Sequence, residues 1–321
     1  MLNINRPLNK IISNISRYSP WTNVFGLSRS LLAMGTFLTL FLNSSNILFP
    51  GILPKNPLLN NLALYKWCYF EVFNFNLEIA RYIALAILFL VIIGYRPRYT
   101  AFFHFWIALS FLVSTETPDG GDQVAAILSL FFMPIALLDN RKWHWDNPKD
   151  PRVQNFYSKA FCFALIIGIR VQVSIIYLHA ATAKFHVKEW INGTALWYWF
   201  NDPVFGSNYW VNYIVQPLIK SAYTVTLITW GSLILELFLF TGLVMSNKNK
   251  KYLLIIGLSF HFSILIIQGL GSFFFSMAAA LIIYLRPVNN SFTFQLLKPG
   301  LSEYWHKSTL RAYISSLKLN R

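Results

Sequence analysis

The sequence predicts an all-α, polytopic integral membrane protein, built as a bundle of about eight transmembrane helices. Of its 321 residues, 55% are hydrophobic and only 12% are charged, whereas soluble domains carry about a quarter charged residues. The mean hydropathy of +0.47 agrees with this composition. Apolar runs of about 18 or more residues recur along the chain, and such runs are typical of membrane spans.

The spans follow from the apolar runs and the residues that interrupt them. Tyr95-Arg96-Pro97-Arg98 predicts a tight hairpin, because proline cannot continue a helix. The stretch 184–220 is the longest outer segment and is rich in Trp and Tyr, which favour the membrane interface. The predicted spans are 24–42, 76–94, 99–113, 123–138, 160–183, 221–245, 252–268 and 273–285. They predict one transmembrane domain over 1–286, with its core at about 19–286, and a cytoplasmic tail over 287–321.

The distribution of cations predicts the orientation. The net charge of +15 would suggest nucleic acid in a soluble protein, but no basic run is long enough to bind phosphates, so nucleic-acid binding is not expected. Lys and Arg gather instead in segments that this layout places inside, so both termini are predicted to be cytoplasmic. The inner segments include Arg96, Arg98, Arg141, Lys142, Lys248, Lys250 and Lys251, and the outer segments include Lys184, Lys188 and Lys220.

The fifth span and the residues after it, 169–200, hold the densest set of polar groups. At helical spacing, one stripe contains Arg170, Ser174, Tyr177, Ala181 and Lys184. Nearly opposite lie Gln172, His179 and His186. A lipid-facing helix would not be polar on two sides, so this helix is predicted to lie in the middle of the bundle. Alternatively, Gln172 and Ser174 simply form hydrogen bonds between helices.

An ionisable group inside a membrane is energetically costly, so we expect it to have either a charged partner or a functional role. By residue count, Arg170, Glu236 and His261 lie at similar depth, so Arg170 is predicted to pair with Glu236 near His261. The pair is either structural or part of the wall of a substrate cavity. Lys184 is either a lysine reaching the interface or a base kept neutral by an apolar pocket. His179 either relays a proton to it or bonds a neighbouring helix.

Other polar clusters carry weaker signals. Trp143-His144-Trp145-Asp146 predicts an aromatic belt at the inner interface. Asp119 and Asp122 are too few to indicate a cation site, and neither Cys68 nor Cys162 belongs to a CxxC or CxxC…H pattern, so no metal site is predicted.

The fifth span also carries a family resemblance. Its motifs are Arg170-x-Gln172, Ile176-Tyr177-Leu178-His179-Ala180, Ala183-Lys184-Phe185 and Glu189-Trp190-Ile191-Asn192-Gly193-Thr194-Ala195. This pattern resembles the core of the vitamin-K-dependent-carboxylase-related membrane domain, called the horizontally transferred transmembrane domain. With the segments 20–33, 121–123 and 139–143, it is similar to the sporulation-delaying protein B branch. The resemblance covers roughly 19–286.

The resemblance implies a function. Members of this branch are bacterial integral membrane proteins that act with a small partner, sporulation-delaying protein A, to mature a secreted antimicrobial toxin precursor. In carboxylases, the lysine matched by Lys184 deprotonates reduced vitamin K. The carboxylase histidine after the third span has no match, since Gly121, Asp122 and Gln123 stand there. The large extracytoplasmic domain of carboxylases is also absent from the sequence.

We therefore expect a multi-pass protein of a bacterial cell membrane that helps mature a secreted peptide toxin. Lys184 and His179 are its candidate catalytic residues. The predicted substrate cavity opens outward beneath 184–220 and is lined by Arg170, Gln172, Tyr177, Glu236, His261 and Trp190. Two alternatives stay open, a carboxylase-like enzyme acting on a small or peptide substrate with a quinone, and a non-enzymatic scaffold or transporter. The sequence decides neither the cofactor nor whether the protein is an enzyme.

Overall fold

The computed structural model describes residues 5–49, 66–148, 150–151, 153–203, 206–207 and 209–292. Within these ranges the regular structure is helical, with one isolated antiparallel bridge between Tyr95 and Trp143. The helices longer than ten residues are α1 Asn5–Arg17, α2 Asn23–Leu42, α3 Leu77–Ile93, α4 Pro97–Ser114, α5 Gly120–Leu137, α6 Phe156–Lys184, α7 Tyr209–Ile219, α8 Ala222–Thr241, α9 Asn247–Gln268 and α10 Gly271–Leu285. Shorter helices are Ser45–Leu48, Tyr69–Val72, Asn74–Asn76, Lys188–Ile191 and Ala195–Asn201.

A helical membrane bundle is confirmed. Six helical segments of the described chain, at α2, α3, α5, α6, α8 and α9, are long and apolar enough to cross a membrane. The apolar helix α10 has only 15 residues, and α4 falls outside this group. The count of eight spans and the cytoplasmic termini therefore stay predictions. So does the division into 1–286 and a tail, since 293–321 lies outside the described residues.

The turn between α3 and α4 forms where the sequence predicts it. Gly94 ends α3 in the left-handed conformation, with φ 83°, and Pro97 stands in the first turn of α4. Glycine adopts positive φ without a steric cost, and proline has no amide hydrogen to leave unbonded at a helix start. Glycine at the end and proline at the start thus fix the tight hairpin.

The centre of the bundle is α10 rather than α6. Every residue of 276–285 is buried, and α10 packs most extensively against α2 and also against α5, α6 and α9. In contrast, only about a third of the hydrophobic part of α6 is buried. The prediction that α6 occupies the middle was wrong, because Gln172 is half-buried and His179 and His186 are exposed. Polar residues on two faces of α6 therefore did not indicate that other helices pack against both of these faces.

The loop after α5 docks into the bundle by its histidine. His144 is fully buried, its backbone amide donates to Gly94 O at 3.0 Å, and a methyl group at Gly26 would lie 2.8 Å from its ring. The interfacial belt predicted here was therefore wrong for His144, although Trp145 is exposed. At the other end of α5, Asp119 forms a reciprocal capping box with the helix start.

Candidate functional site

The central feature of the site is an ion pair between two helices. Lys184 is the last residue of α6, and its Nζ donates to Glu236 Oε1 on α8. The side chains are 24% and 9% exposed, respectively. Because both groups lie largely outside water, their attraction is weakly screened. Glu236 thus has a charged partner within the bundle, as the sequence required, but the partner is Lys184.

Trp190 covers the lysine. The ring centroid of Trp190 lies 4.9 Å from Lys184 Nζ, which is within the range of a cation–π interaction. The short helix Lys188–Ile191 holds this tryptophan, and the next turn places Gly193 at φ 73°. A Cβ at Gly193 would lie 2.7 Å from a methyl carbon of Thr226 on α8, so the turn rests directly on that helix. This packing holds Trp190 over the ion pair.

A second polar pair lies beside the first. The hydroxyl of Tyr177, on α6, lies 2.9 Å from His261 Nε2 on α9, and both residues are buried. Phe273 of α10 packs against the imidazole in a T-shaped arrangement, with ring centroids 5.5 Å apart. Glu236 lies close enough to Tyr177, and Lys184 close enough to His261, for their charges to interact electrostatically with these side chains. Three helices therefore bring four polar side chains together.

Two atoms of this cluster are buried without a hydrogen-bond partner among the described residues, Glu236 Oε2 and His261 Nδ1. A carboxylate oxygen only accepts hydrogen bonds, whereas an imidazole nitrogen can accept or donate. Since Lys184 occupies only Oε1, the second oxygen is free to accept from an amide or an ammonium group. The cluster can thus bind a hydrogen-bond donor in an environment that excludes most water.

The predicted pairing of Arg170 with Glu236 was wrong. Arg170 donates to the carbonyls of Ile283 and Arg286, at 3.5 and 3.2 Å. Side chains on a helix point toward its N-terminus, so this guanidinium reaches the end of α10 rather than the level of Lys184. There the Ile283 carbonyl lacks its usual intrahelical donor, because Pro287 has no amide hydrogen. Arg170 therefore caps α10.

The structure divides the predicted site residues into two groups. It brings together Lys184, Glu236, Trp190, Tyr177 and His261. It does not bring Arg170, Gln172 or His179 to them, since His179 is exposed on another face of α6. The role of the clustered residues in catalysis or substrate binding stays a prediction.

The sequence did not reveal some polar contacts near the cluster. Tyr284 donates to the carbonyls of Leu239 and Phe240 at 3.0 Å, and Ser174 donates to Phe240 O at 2.9 Å. These bonds tie the end of α8, which carries Glu236, to α10 and α6. A tyrosine in an otherwise aliphatic run was the available signal, because a buried hydroxyl requires a partner.

The chain is similar to known bacterial proteins. It is 40% identical over 293 residues to sporulation-delaying protein SdpB of Bacillus subtilis, covering 91% of this chain and 90% of that protein. It is 33% identical over 314 residues to the uncharacterised protein YitO of the same organism, covering 96% and 99%. No family model matches the sequence, and no solved structure matches it.

Proposed function

The chain belongs to the family of sporulation-delaying protein SdpB, and on that premise we propose that it helps to produce a sporulation-delaying-type peptide toxin. It acts in the bacterial cell membrane, together with a small partner protein similar to sporulation-delaying protein A, on the precursor of the secreted peptide. The apolar helices of the bundle support a location where the precursor crosses or contacts the lipid.

The carboxylate of Glu236 connects this proposal to particular residues, because only one of its two oxygens has a hydrogen-bond partner among the described residues. Its Oε1 accepts from Lys184, while its buried Oε2 accepts from no described residue. A peptide supplies amide hydrogens, and a buried acceptor stabilises such a donor more than an exposed one does. In this proposal, the precursor binds beside Glu236 and beneath Trp190, and Lys184 holds the carboxylate in place.

A carboxylase-like enzyme is the second candidate, and the position of Lys184 favours it. This lysine matches the base of the carboxylases, and it lies in a mostly apolar site against a carboxylate. Transfer of one proton from Lys184 to Glu236 would leave a neutral amine and a neutral acid, which makes the lysine able to accept a proton. Under this second hypothesis, the chain belongs to the wider carboxylase-related superfamily, and its reaction requires a reduced quinone.

Mass spectrometry of the peptides that cells secrete tests the proposal. The compared cells carry the intact protein, Lys184→Met, Lys188→Met or no copy of the gene, each with the membrane amount of the protein measured. Lys188 is the matched control, because it is an exposed lysine four residues further along the chain. We expect the mature peptide with the intact protein and with Lys188→Met, and its loss in the other two.

Each of the remaining possible results of this experiment would indicate a different function. If all four samples contain the same peptides, the chain takes no part in peptide production. If the mature peptide persists in Lys184→Met but disappears without the gene, the protein is a scaffold or transporter that does not use this ion pair. A mass gain of one carboxyl group that depends on Lys184 and on a quinone would establish the carboxylase-like reaction.

A further inference from the structure

A second buried charge lies outside the candidate site, on α2. Arg29 is fully enclosed by the bundle, 1% exposed, and its Nη2 donates to Thr100 Oγ1 on α4 at 2.8 Å. Its other terminal nitrogen, Nη1, has no hydrogen-bond partner among the described residues. A guanidinium in a membrane helix is costly unless its charge and its donors are matched. Arg29 therefore requires a partner that the described chain does not supply.

The carboxylate whose charge acts on Arg29 already has a partner. Asp139 is near enough for its charge to act on Arg29, but both of its oxygens are bonded to Arg141. Asp139 and Arg141 neutralise each other. Since neutral hydroxyls and imidazoles bring no charge, the group keeps one uncompensated positive charge at Arg29.

A second unpaired group lies close to the first. His104 follows Thr100 by one helical turn, so both lie on the buried face of α4 that meets Arg29. The charge of Arg29 acts on His104, and His104 Nε2 is buried with no hydrogen-bond partner among the described residues. An imidazole with its proton on this nitrogen is a donor. Arg29 and His104 thus each bring one buried nitrogen without a described partner to the contact between α2 and α4.

We propose that Arg29 and His104 bind a small monovalent anion, of which chloride is the probe. One negative charge balances Arg29, and the anion accepts from Nη1 and Nε2 at once. Thr100 is a positioning residue, because its hydroxyl fixes the guanidinium without using Nη1. A water molecule would satisfy the donors but would leave the charge, so the charge balance favours an anion.

The site is independent of the proposed function. It lies on α2 and α4, whereas the Lys184–Glu236 pair joins α6 and α8. Because α2 packs extensively against α10, an anion bound to α2 would stabilise the packed core of the bundle. We therefore expect its effect on stability rather than directly on the chemistry beneath Trp190.

The test measures thermal unfolding of the purified protein in lipid nanodiscs while chloride replaces gluconate at constant ionic strength. The intact protein should gain stability in a saturable way, because an anion that binds only the folded state stabilises it. Arg29→Met should lose this dependence, and Thr100→Val should raise the half-saturating concentration about tenfold. Arg98→Met is the control, since Arg98 is an exposed arginine on α4 that bonds Asn140.

Two results would overturn the proposal. One is an intact protein whose unfolding temperature does not change with chloride, and the other is the same dependence in intact protein and Arg29→Met. Should Arg29→Met fail to fold, His104→Leu takes its place, with the same expected loss of affinity as Thr100→Val. Crystals of the intact protein grown with bromide provide a direct check, since the anomalous signal must include a peak in contact with Arg29 Nη1.

Discussion

Two carboxylates of this protein pair with cations in contrasting ways. Asp139 and Arg141 are two residues apart and form a bidentate pair, with Nε–Oδ1 and Nη2–Oδ2 distances of 2.9 and 2.7 Å. The remaining terminal nitrogen of Arg141 donates to Asp146 O. Lys184 and Glu236 are 52 residues apart and come from two helices, and one oxygen of that carboxylate accepts no hydrogen bond from the described residues.

The contrast separates a structural pair from a candidate binding site. At Asp139, the pair fixes a loop and leaves no carboxylate oxygen for another molecule. At Glu236, the ammonium group of Lys184 engages one oxygen only, and the other oxygen accepts from no described residue. A buried polar atom left unsatisfied costs free energy, so its retention is reasonable where a ligand supplies the missing bond. The number of unsatisfied atoms therefore distinguishes the two pairs.

The largest effect on stability is expected from Asp139→Asn. The substitution leaves the buried guanidinium of Arg141 without its counter-charge, at a cost of about 3–5 kcal/mol. Thermal unfolding of the purified variant measures the loss. Peptide production per folded molecule should stay the same, because this pair only holds the loop. A stable variant that no longer supports peptide production would reverse the roles assigned to the two pairs.

A smaller loss of stability, with a total loss of function, is expected from Glu236→Leu. The lysine that remains is partly exposed, so we expect a cost of about 2 kcal/mol, below the range for fully buried pairs. Adding Lys184→Met should restore most of that stability, since two apolar side chains replace the pair. Peptide secretion should be absent in both variants. If the double variant secretes the mature peptide, the pair is structural like Asp139–Arg141.

Much of the fold could be predicted from the sequence, because helix ends carry local signals. Gly94 and Pro97 fix one hairpin, and Gly269, which directly follows the predicted span 252–268, ends α9 in the left-handed conformation. The centre of the bundle carried no such signal. Residues 276–285 are apolar whether they face protein or lipid, so their sequence does not reveal complete burial.

The site could be predicted only as a set of residues. The stripe of Tyr177, Ala181 and Lys184, in which the first two residues are buried, follows from helical spacing alone. Which cation meets Glu236 does not, because it depends on the direction and length of each side chain as well as on depth. Arg170 extends toward the start of α6, where it donates to the carbonyl of Ile283, four residues before Pro287. Such competition between acceptors is visible only in three dimensions.

The next effect in size concerns the docking of the loop that Asp139 and Arg141 stabilise. Gly94→Ala combines a positive φ with a methyl group placed against the imidazole of His144, so we expect a loss of about 2 kcal/mol. Thermal unfolding measures it. His144→Ala, combined with Gly94→Ala, should recover the part of the loss due to the clash and not the part due to backbone strain. Recovery of nothing would mean that His144 does not limit the space at this turn.

The smallest effect is the dependence of stability on pH. Burial, with the charges of Arg29 and Arg141, holds the pKa of His144 well below its usual value, so the folded protein keeps this imidazole neutral. The unfolded chain takes up a proton below about pH 6.5, and stability should therefore fall as the pH drops, by at most about 1.4 kcal/mol per pH unit.

Unfolding of the intact protein and of His144→Gln, compared at about pH 7.5 and about pH 5.5, isolates the contribution of His144 to this dependence. Glutamine can still donate to Ser30, which His144 Nε2 contacts at 3.2 Å, so the variant keeps the contact and loses the titration. An unchanged slope in His144→Gln would assign the pH dependence to other groups.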